Sequence, residues 1–309
     1  MRVVFWKELA DYFGSKRFII LFFLILIVAG ASAYLASQSL RESPPQDTSY
    51  VYLDLFTQSS GGMPSFLSFL AFFGPLIGVL LGFDAVNSEF SRGTVSRVLA
   101  QPIYRDSWIN GKFLAGLATL ALALAGIILI IFGLGLYALG FPPDGGELSR
   151  MFTFFVIGLI YLGFWLALGI LFSVLFRQAA SSALASIAVW LFFTLFLYMA
   201  AGLIADQVAP VSPSSPAQVW TRNEEIRDLV LRFSPVALFE EATSAILIPS
   251  WRGLGLAQLL TQRDIPTNPL PLGQSLLIVW PQLVSLIALT SVCFGISYVI
   301  FMRREIRSL

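Results

Sequence analysis

An all-α membrane protein with six transmembrane helices is the fold class this sequence predicts, and three observations predict it. Only 12% of the 309 residues are charged while 57% are hydrophobic, whereas a soluble domain typically carries about a quarter of its residues charged. Mean hydropathy is +0.81. Six apolar stretches come near or above the roughly 20 residues that a helix needs to cross a bilayer. None shows the alternation of a barrel strand, so helices are the spanning element.

Composition also narrows the function. The 19 basic and 18 acidic residues nearly cancel, so nucleic acid is not an expected partner. Histidine is absent, which removes the commonest general base and the commonest metal ligand. Cys293 is the single cysteine and sits in an apolar run, as a buried structural thiol does.

The first seventeen residues come first in order. Phe5, Trp6, Leu9, Tyr12 and Phe13 share one helical face against Lys7, Glu8 and Asp11. That is the pattern of an amphipathic helix in the membrane interface, rings at headgroup depth and charges toward water. The apolar run behind it is too long for a signal-peptide core and lacks a clear cleavage site, so it reads as a retained first span.

The spans are expected at 18–35, 66–86, 113–139, 152–175, 179–205 and 276–302, in one transmembrane domain. Arg177 and Gln178 alone break the fourth from the fifth, which makes a tight hairpin. Lysine and arginine then fix the orientation. With the N-terminus in the cytoplasm, the inner segments hold Arg2, Lys7, Lys16, Arg17, Arg92, Arg97, Arg105, Lys112, Arg177, Arg303, Arg304 and Arg307. The short outer segments hold only Arg41 and Arg150, so both termini are expected in the cytoplasm. Gly74-Pro75 with Gly78 and Gly82, and likewise Gly126, Gly133 and Gly135 and Gly158, Gly163 and Gly169, read as sites of close helix packing or kinks, and Asp84 as a helix-end carboxylate paired with a nearby arginine.

Between the fifth and sixth spans lies an outer loop, 206–275. Its first part, 209–218, is rich in proline and serine and reads as irregular. Asn223 is an expected N-cap, with Glu224 and Glu225 in the first turn and an apolar stripe of Ile226, Leu229, Val230 and Phe233. Ser234-Pro235 starts a second helix carrying Leu238, Phe239, Ala242 and Ile246, which Pro249 ends. Two amphipathic helices are thus expected over the outer mouth, capping an exit or receiving an extracytoplasmic partner.

The inner loop, 87–112, is the candidate functional segment. Val95, Val98 and Leu99 lie on one side of a short helix, Arg92, Ser96 and Arg97 elsewhere, and Pro102 stops it. An apolar knob with a basic rim suits docking into a groove on a cytoplasmic partner, and the loop carries no catalytic constellation. Glu89, Gly93-Thr94, Leu99, Pro102, Arg105 and Gly111-Lys112 resemble the loop after the second span of ABC-2 type permeases. Lys7-Glu8-Leu9 with Tyr12 resembles their amphipathic entry helix. Ser234-Pro235 and Arg303-Arg304-Glu305 are similar to the branch that includes NosY-like permeases.

That resemblance implies a dimer of six-span subunits in a prokaryotic cell membrane, each docked on a separate ATP-binding-cassette subunit and exporting a substrate. ATP and Mg would sit on the partner, since this chain has no phosphate-cradling G-x-x-x-x-G-K-[ST] run and no cofactor of its own is expected. Glu89, Arg92, Gly93, Thr94, Arg97, Val98, Leu99, Pro102, Arg105 and Lys112 would transmit the ATPase's motion. Phe5, Trp6, Lys7, Glu8, Leu9 and Tyr12 would form the interfacial helix. A secondary transporter would call for mid-membrane ionisable groups that are not evident, and an intramembrane hydrolase for a nucleophile–base or metal set at depth. A membrane anchor or signalling subunit is the remaining alternative.

Overall fold

The computed structural model describes residues 1–42, 50–91, 93, 104–212, 215–249 and 269–304. Among these, six helices are long and apolar enough to cross a membrane. They run alternately up and down, which leaves both ends of the described chain at one end of the bundle.

Helix α1 (Arg2–Gly14) precedes α2 (Lys16–Glu42), the first span. In α2 the inward residues Phe18, Ile25, Ala29, Ser32, Ala36 and Leu40 recur at three-, four- and seven-residue steps, while Ile20, Phe23 and Ile27 face outward. This is the helical period read directly from burial. A short helix, α3 (Val51–Thr57), follows with Val51, Tyr52, Leu53, Leu55 and Phe56 all buried. Seven residues are too few to span, and the sequence reading placed no helix there.

Helix α4 (Phe66–Gly82) starts at Ser65, whose side chain accepts from the Ser68 amide. Its Gly74, Gly78 and Gly82 face α7 (Gly145–Leu175). A Cβ on Gly78 would meet Leu162 O at 2.8 Å, and one on Gly82 would meet Leu166 O at 2.7 Å. Gly169 answers from the other side, its own Cβ position lying 3.1 Å from Gly82 Cα. The two backbones touch because these positions lack side chains. Gly74, Gly78 and Gly82 thus serve close packing and join the second span to the fourth, whereas Gly126 and Gly133, read the same way, have nothing within 4 Å of their Cβ positions.

After α4 the chain turns and forms α5 (Asn87–Ser91). The third span, α6 (Arg105–Leu139), ends at Gly140 with φ 79°. Span four, α7, opens on a capping box in which Asp144 and Glu147 satisfy each other's amides; Glu147 also accepts from the Tyr52 amide at 2.8 Å. The fifth span runs through α8 (Ala179–Leu191), a π turn (Phe192–Phe196) and α9 (Leu197–Val208). Helix α12 (Leu272–Arg303) is the sixth.

Three expectations for the segment between spans five and six are corrected. Helix α10 (Ala217–Leu231) begins after Pro216, so Asn223 lies inside it rather than capping it. Its buried amide donates to Asp206 Oδ1 and to Ala209 O, each at 2.9 Å, tying α10 to the end of span five. Of the expected apolar stripe, Leu229 and Phe233 are exposed. Helix α11 (Pro235–Leu247) does start at Ser234, whose side chain accepts from the Ala237 amide. It is not a surface helix, however: Val236, Leu238, Phe239, Ala242, Ala245, Ile246 and Leu247 are all in the core, packed against α4, α7 and α12. Phe239 stacks on Tyr161 with ring centroids 4.2 Å apart.

At that same end, Arg150 is 1% exposed. Its guanidinium donates to Ile246 O at 2.6 Å and to Leu270 O. A cation counted in a short outer segment is thus buried, joining span four to α11 and to Leu270.

Candidate functional site

The end of the bundle that holds both ends of the described chain is fastened by a cluster of charged groups, and the sequence order explains how it assembles. Val4, Glu8 and Tyr12 sit at four-residue steps on α1 and so share one face. Gly111 and Lys112 sit in the second turn of α6, where that face lands. A Cβ on Gly111 would meet Val4 Cγ1 at 2.9 Å, so the missing side chain lets α1 lie against α6. The neighbouring Lys112 then reaches Glu8 Oε1 at 2.8 Å and Glu89 Oε1, on α5, at 2.7 Å.

Lys112 is 2% exposed. A lone ammonium so placed would cost several kcal/mol. Two carboxylates offset that cost, and the Trp108 ring lies 4.7 Å from Lys112 Nζ, a cation–π distance. Lys7 closes the cluster from outside, with Nζ 2.9 Å from Glu8, 3.1 Å from Asp11 and 3.6 Å from Glu89. Partial burial alone would lower the Lys7 pKa, but the hydrogen bonds and negative charge of Glu8, Asp11 and Glu89 carry it above the ordinary value. Tyr12 donates to Leu81 O at 3.1 Å, and burial keeps its hydroxyl protonated.

The residues expected to form an interfacial helix divide accordingly. Trp6 is 58% exposed and stands edge-on to Phe5; Leu9 is half-buried. Lys7 faces outward. Glu8 does not: it was expected on the wet side, and it is 6% exposed because its partner Lys112 arrives from a distant span.

The segment entering the loop is equally fastened. Ser173 Oγ, on α7, accepts from the Val86 and Asn87 amides at 2.9 and 3.1 Å. Asp84 meets Arg17 at 3.4 Å, the helix-end pairing expected. Gly93 has φ 66° and donates its amide to Phe90 O, a left-handed stop that glycine adopts without strain. Where α6 begins, Arg105 donates to Arg304 O at 3.3 Å, and Arg304 donates to Val174 O at 2.9 Å. Trp108 stacks on Phe301 at 4.9 Å. Both ends of the loop are thus tied to α1, α7 and α12. Arg92, Thr94, Arg97, Val98, Leu99 and Pro102 lie outside the described residues.

Of the expected coupling residues, Glu89 and Lys112 come together, Gly93 ends α5, and Arg105 bonds the C-terminal end of α12. Lys112 holds the other elements in place from inside rather than presenting its charge on a docking face. Among the described residues, no group of three His, Cys, Asp or Glu side chains is placed to hold a metal ion. What this arrangement can do is mechanical: a displacement of α5 or of the start of α6 is felt by α1 through one buried ammonium.

Six helices long and apolar enough to cross a membrane define an integral membrane protein, one end of which is built around a buried ion cluster. The chain belongs to the ABC-2 family of transporters, since the family described as ABC-2 family transporter protein matches residues 2–306. Two relatives carry the name probable ABC transporter permease protein NosY. One, from Stutzerimonas stutzeri, is 28% identical over 193 residues, 61% of this chain and 64% of the relative. The other, from Pseudomonas aeruginosa, is 28% identical over 198 residues, 63% of this chain and 66% of the relative. The alignment therefore spans just under two thirds of each relative's length.

Proposed function

We propose that the chain is the permease subunit of an ABC exporter, taking its energy from ATP and Mg bound on a separate nucleotide-binding subunit. The observation that carries this reading is the buried Lys112 joined to both Glu8 and Glu89. It makes α1, α5 and α6 one body around the segment 94–103. A partner that pushes on that segment moves the second and third spans together with α1. Arg92, Arg97, Val98 and Leu99 are the contacts proposed for the partner, with Thr94 and Pro102 shaping the segment and Arg105 anchoring its end. The excess of Lys7, Lys16, Arg17, Arg105, Lys112, Arg177 and Arg304 at this end supports a cytoplasmic location for both termini. Family membership supports a second copy of the permease and a prokaryotic cell membrane.

The experiment is an ATPase and transport assay of the reconstituted permease–ATPase complex carrying Arg97→Glu, Arg105→Glu or Val98→Pro. The expected result is a correctly inserted complex that hydrolyses ATP without moving substrate. Normal coupling in all three variants contradicts the assigned role of the loop.

A further inference from the structure

The fifth span departs from regular helix at the π turn Phe192–Phe196, a feature that often marks functional sites in helices. Here it has a local consequence. Phe193 O accepts from Ser234 Oγ at the start of α11, and Thr194 Oγ1 is buried without a hydrogen-bond partner. Thr194 borders a cavity of about 400 Å³ between α4, the fifth span and α11. Phe69, Phe72 and Phe73 form its apolar wall, and its acidic group is Glu240. Among the described residues, no lysine or arginine lines it.

Glu240 Oε2 accepts from Tyr198 Oη at 2.7 Å. The same two residues line a second cavity of about 290 Å³, bordered by Glu224, Asp228, Glu241, Arg227 and Arg232. The Tyr198–Glu240 pair therefore stands where an aromatic chamber meets a charged one. The volume is within the usual range for small-molecule sites, and the lining has their usual character, mostly apolar with a few convergent polar groups.

We propose that the aromatic chamber binds a hydrophobic amine. Its apolar body rests on Phe69, Phe72 and Phe73, its protonated nitrogen donates to Glu240, and Thr194 supplies the second polar contact. Three aromatic rings and one carboxylate favour a cation over an anion, because an aromatic ring can accept positive charge on its face and no cationic side chain among the described residues lines the cavity to neutralise a negative one. Burial raises the Glu240 pKa while the Tyr198 hydrogen bond opposes the rise, so a bound ammonium would stabilise the ionised carboxylate. The inference concerns equilibrium binding to this chain and stands whether or not an ATPase couples to it.

The test is a fluorescence titration of the full chain in lipid nanodiscs with 2-(1-naphthyl)ethylamine, the neutral 2-(1-naphthyl)ethanol as control, and empty nanodiscs subtracted. The expected result is saturable amine binding. Glu240→Gln should weaken the amine by at least about tenfold, the scale of a lost charge-assisted hydrogen bond, and leave the alcohol within about twofold. Tyr198→Phe, which keeps the carboxylate, should retain amine binding. Absence of saturable amine binding to the wild-type chain, or equal amine affinity in Glu240→Gln, overturns the proposal. So does a parallel loss of amine and alcohol in Glu240→Gln, which would make the carboxylate a support of the chamber's shape and not its ligand.

Discussion

Lys112 donates to Glu8 at 2.8 Å across 104 residues of sequence, joining the third span to the helix that precedes the first. Because Glu89 takes a second bond from the same ammonium, this one side chain connects three elements. Removing it leaves Glu8 and Glu89 facing each other, with Lys7 reaching both from the outside. Lys112→Met should therefore destabilise the protein by about 3–5 kcal/mol, the usual scale for breaking a buried pair on one side. Lys112→Met combined with Glu8→Gln should recover part of that loss. Thermal unfolding in detergent measures both; equal stability of Lys112→Met and wild type would remove the cluster's structural role.

Gly111 makes that approach possible. Gly111→Val places side-chain atoms where Val4 already lies, so α1 should detach from α6. Limited proteolysis should then cut within residues 1–14, where the wild-type chain resists. Val4→Gly in the same chain should restore part of the protection, since the two nearest clashes are with Val4 Cγ1 and Cβ and not with backbone.

The contact between α4 and α7 admits no such rescue. Gly78→Leu and Gly82→Leu both drive a side chain into the backbone of α7, and each should abolish monodisperse protein on size-exclusion chromatography. Gly126→Ala is the matched control. Nothing lies within 4 Å of its Cβ position, and alanine is the better helix former by about 0.8–1 kcal/mol in water-soluble hosts, so its elution should be unchanged.

Asp228 gives a pH dependence with a definite sign. Burial, together with Glu224 and Glu241, pushes its carboxyl up to about 6, against the opposing pull of Arg227 and Arg232. The folded state therefore binds this proton more tightly than the unfolded state, and stability from this group falls as pH rises from about 4 to 6. Asp228→Asn should raise the melting temperature at pH 7.5 and change it much less at pH 4.5. A larger gain at the lower pH would contradict the assigned cause.

The spans were legible because length and apolarity are local properties, and the Gly74–Gly78–Gly82 stripe because its spacing alone places it on one face. The start of α11 was legible for the same reason, as Ser234-Pro235 is a local signal. What the sequence hid depends on distant partners. Glu8 was assigned to the wet face because it is charged, and only Lys112 makes its burial tolerable. Arg150 was counted only as a cation of an outer segment, and its burial rests on the carbonyls of Ile246 and Leu270, 96 and 120 residues further along the chain. Helix α11 carries Glu240 and Glu241, which mimic the polar face of a surface helix. Asn223 imitates an N-cap because its residue type suits both that role and the buried bonds it makes to Asp206 and Ala209. The glycine and lysine at 111 and 112 were visible as a pair, but their use against Val4 and Glu8 was not.

The most direct test of the account is co-purification of this chain from membranes with the ABC ATPase encoded nearby, with residues 89–112 intact or scrambled. The account predicts a stable complex with the intact loop, and loss of association or of stimulated ATP hydrolysis when the loop is scrambled. A chain that purifies alone, or that binds and stimulates the ATPase equally well with the loop scrambled, would contradict it.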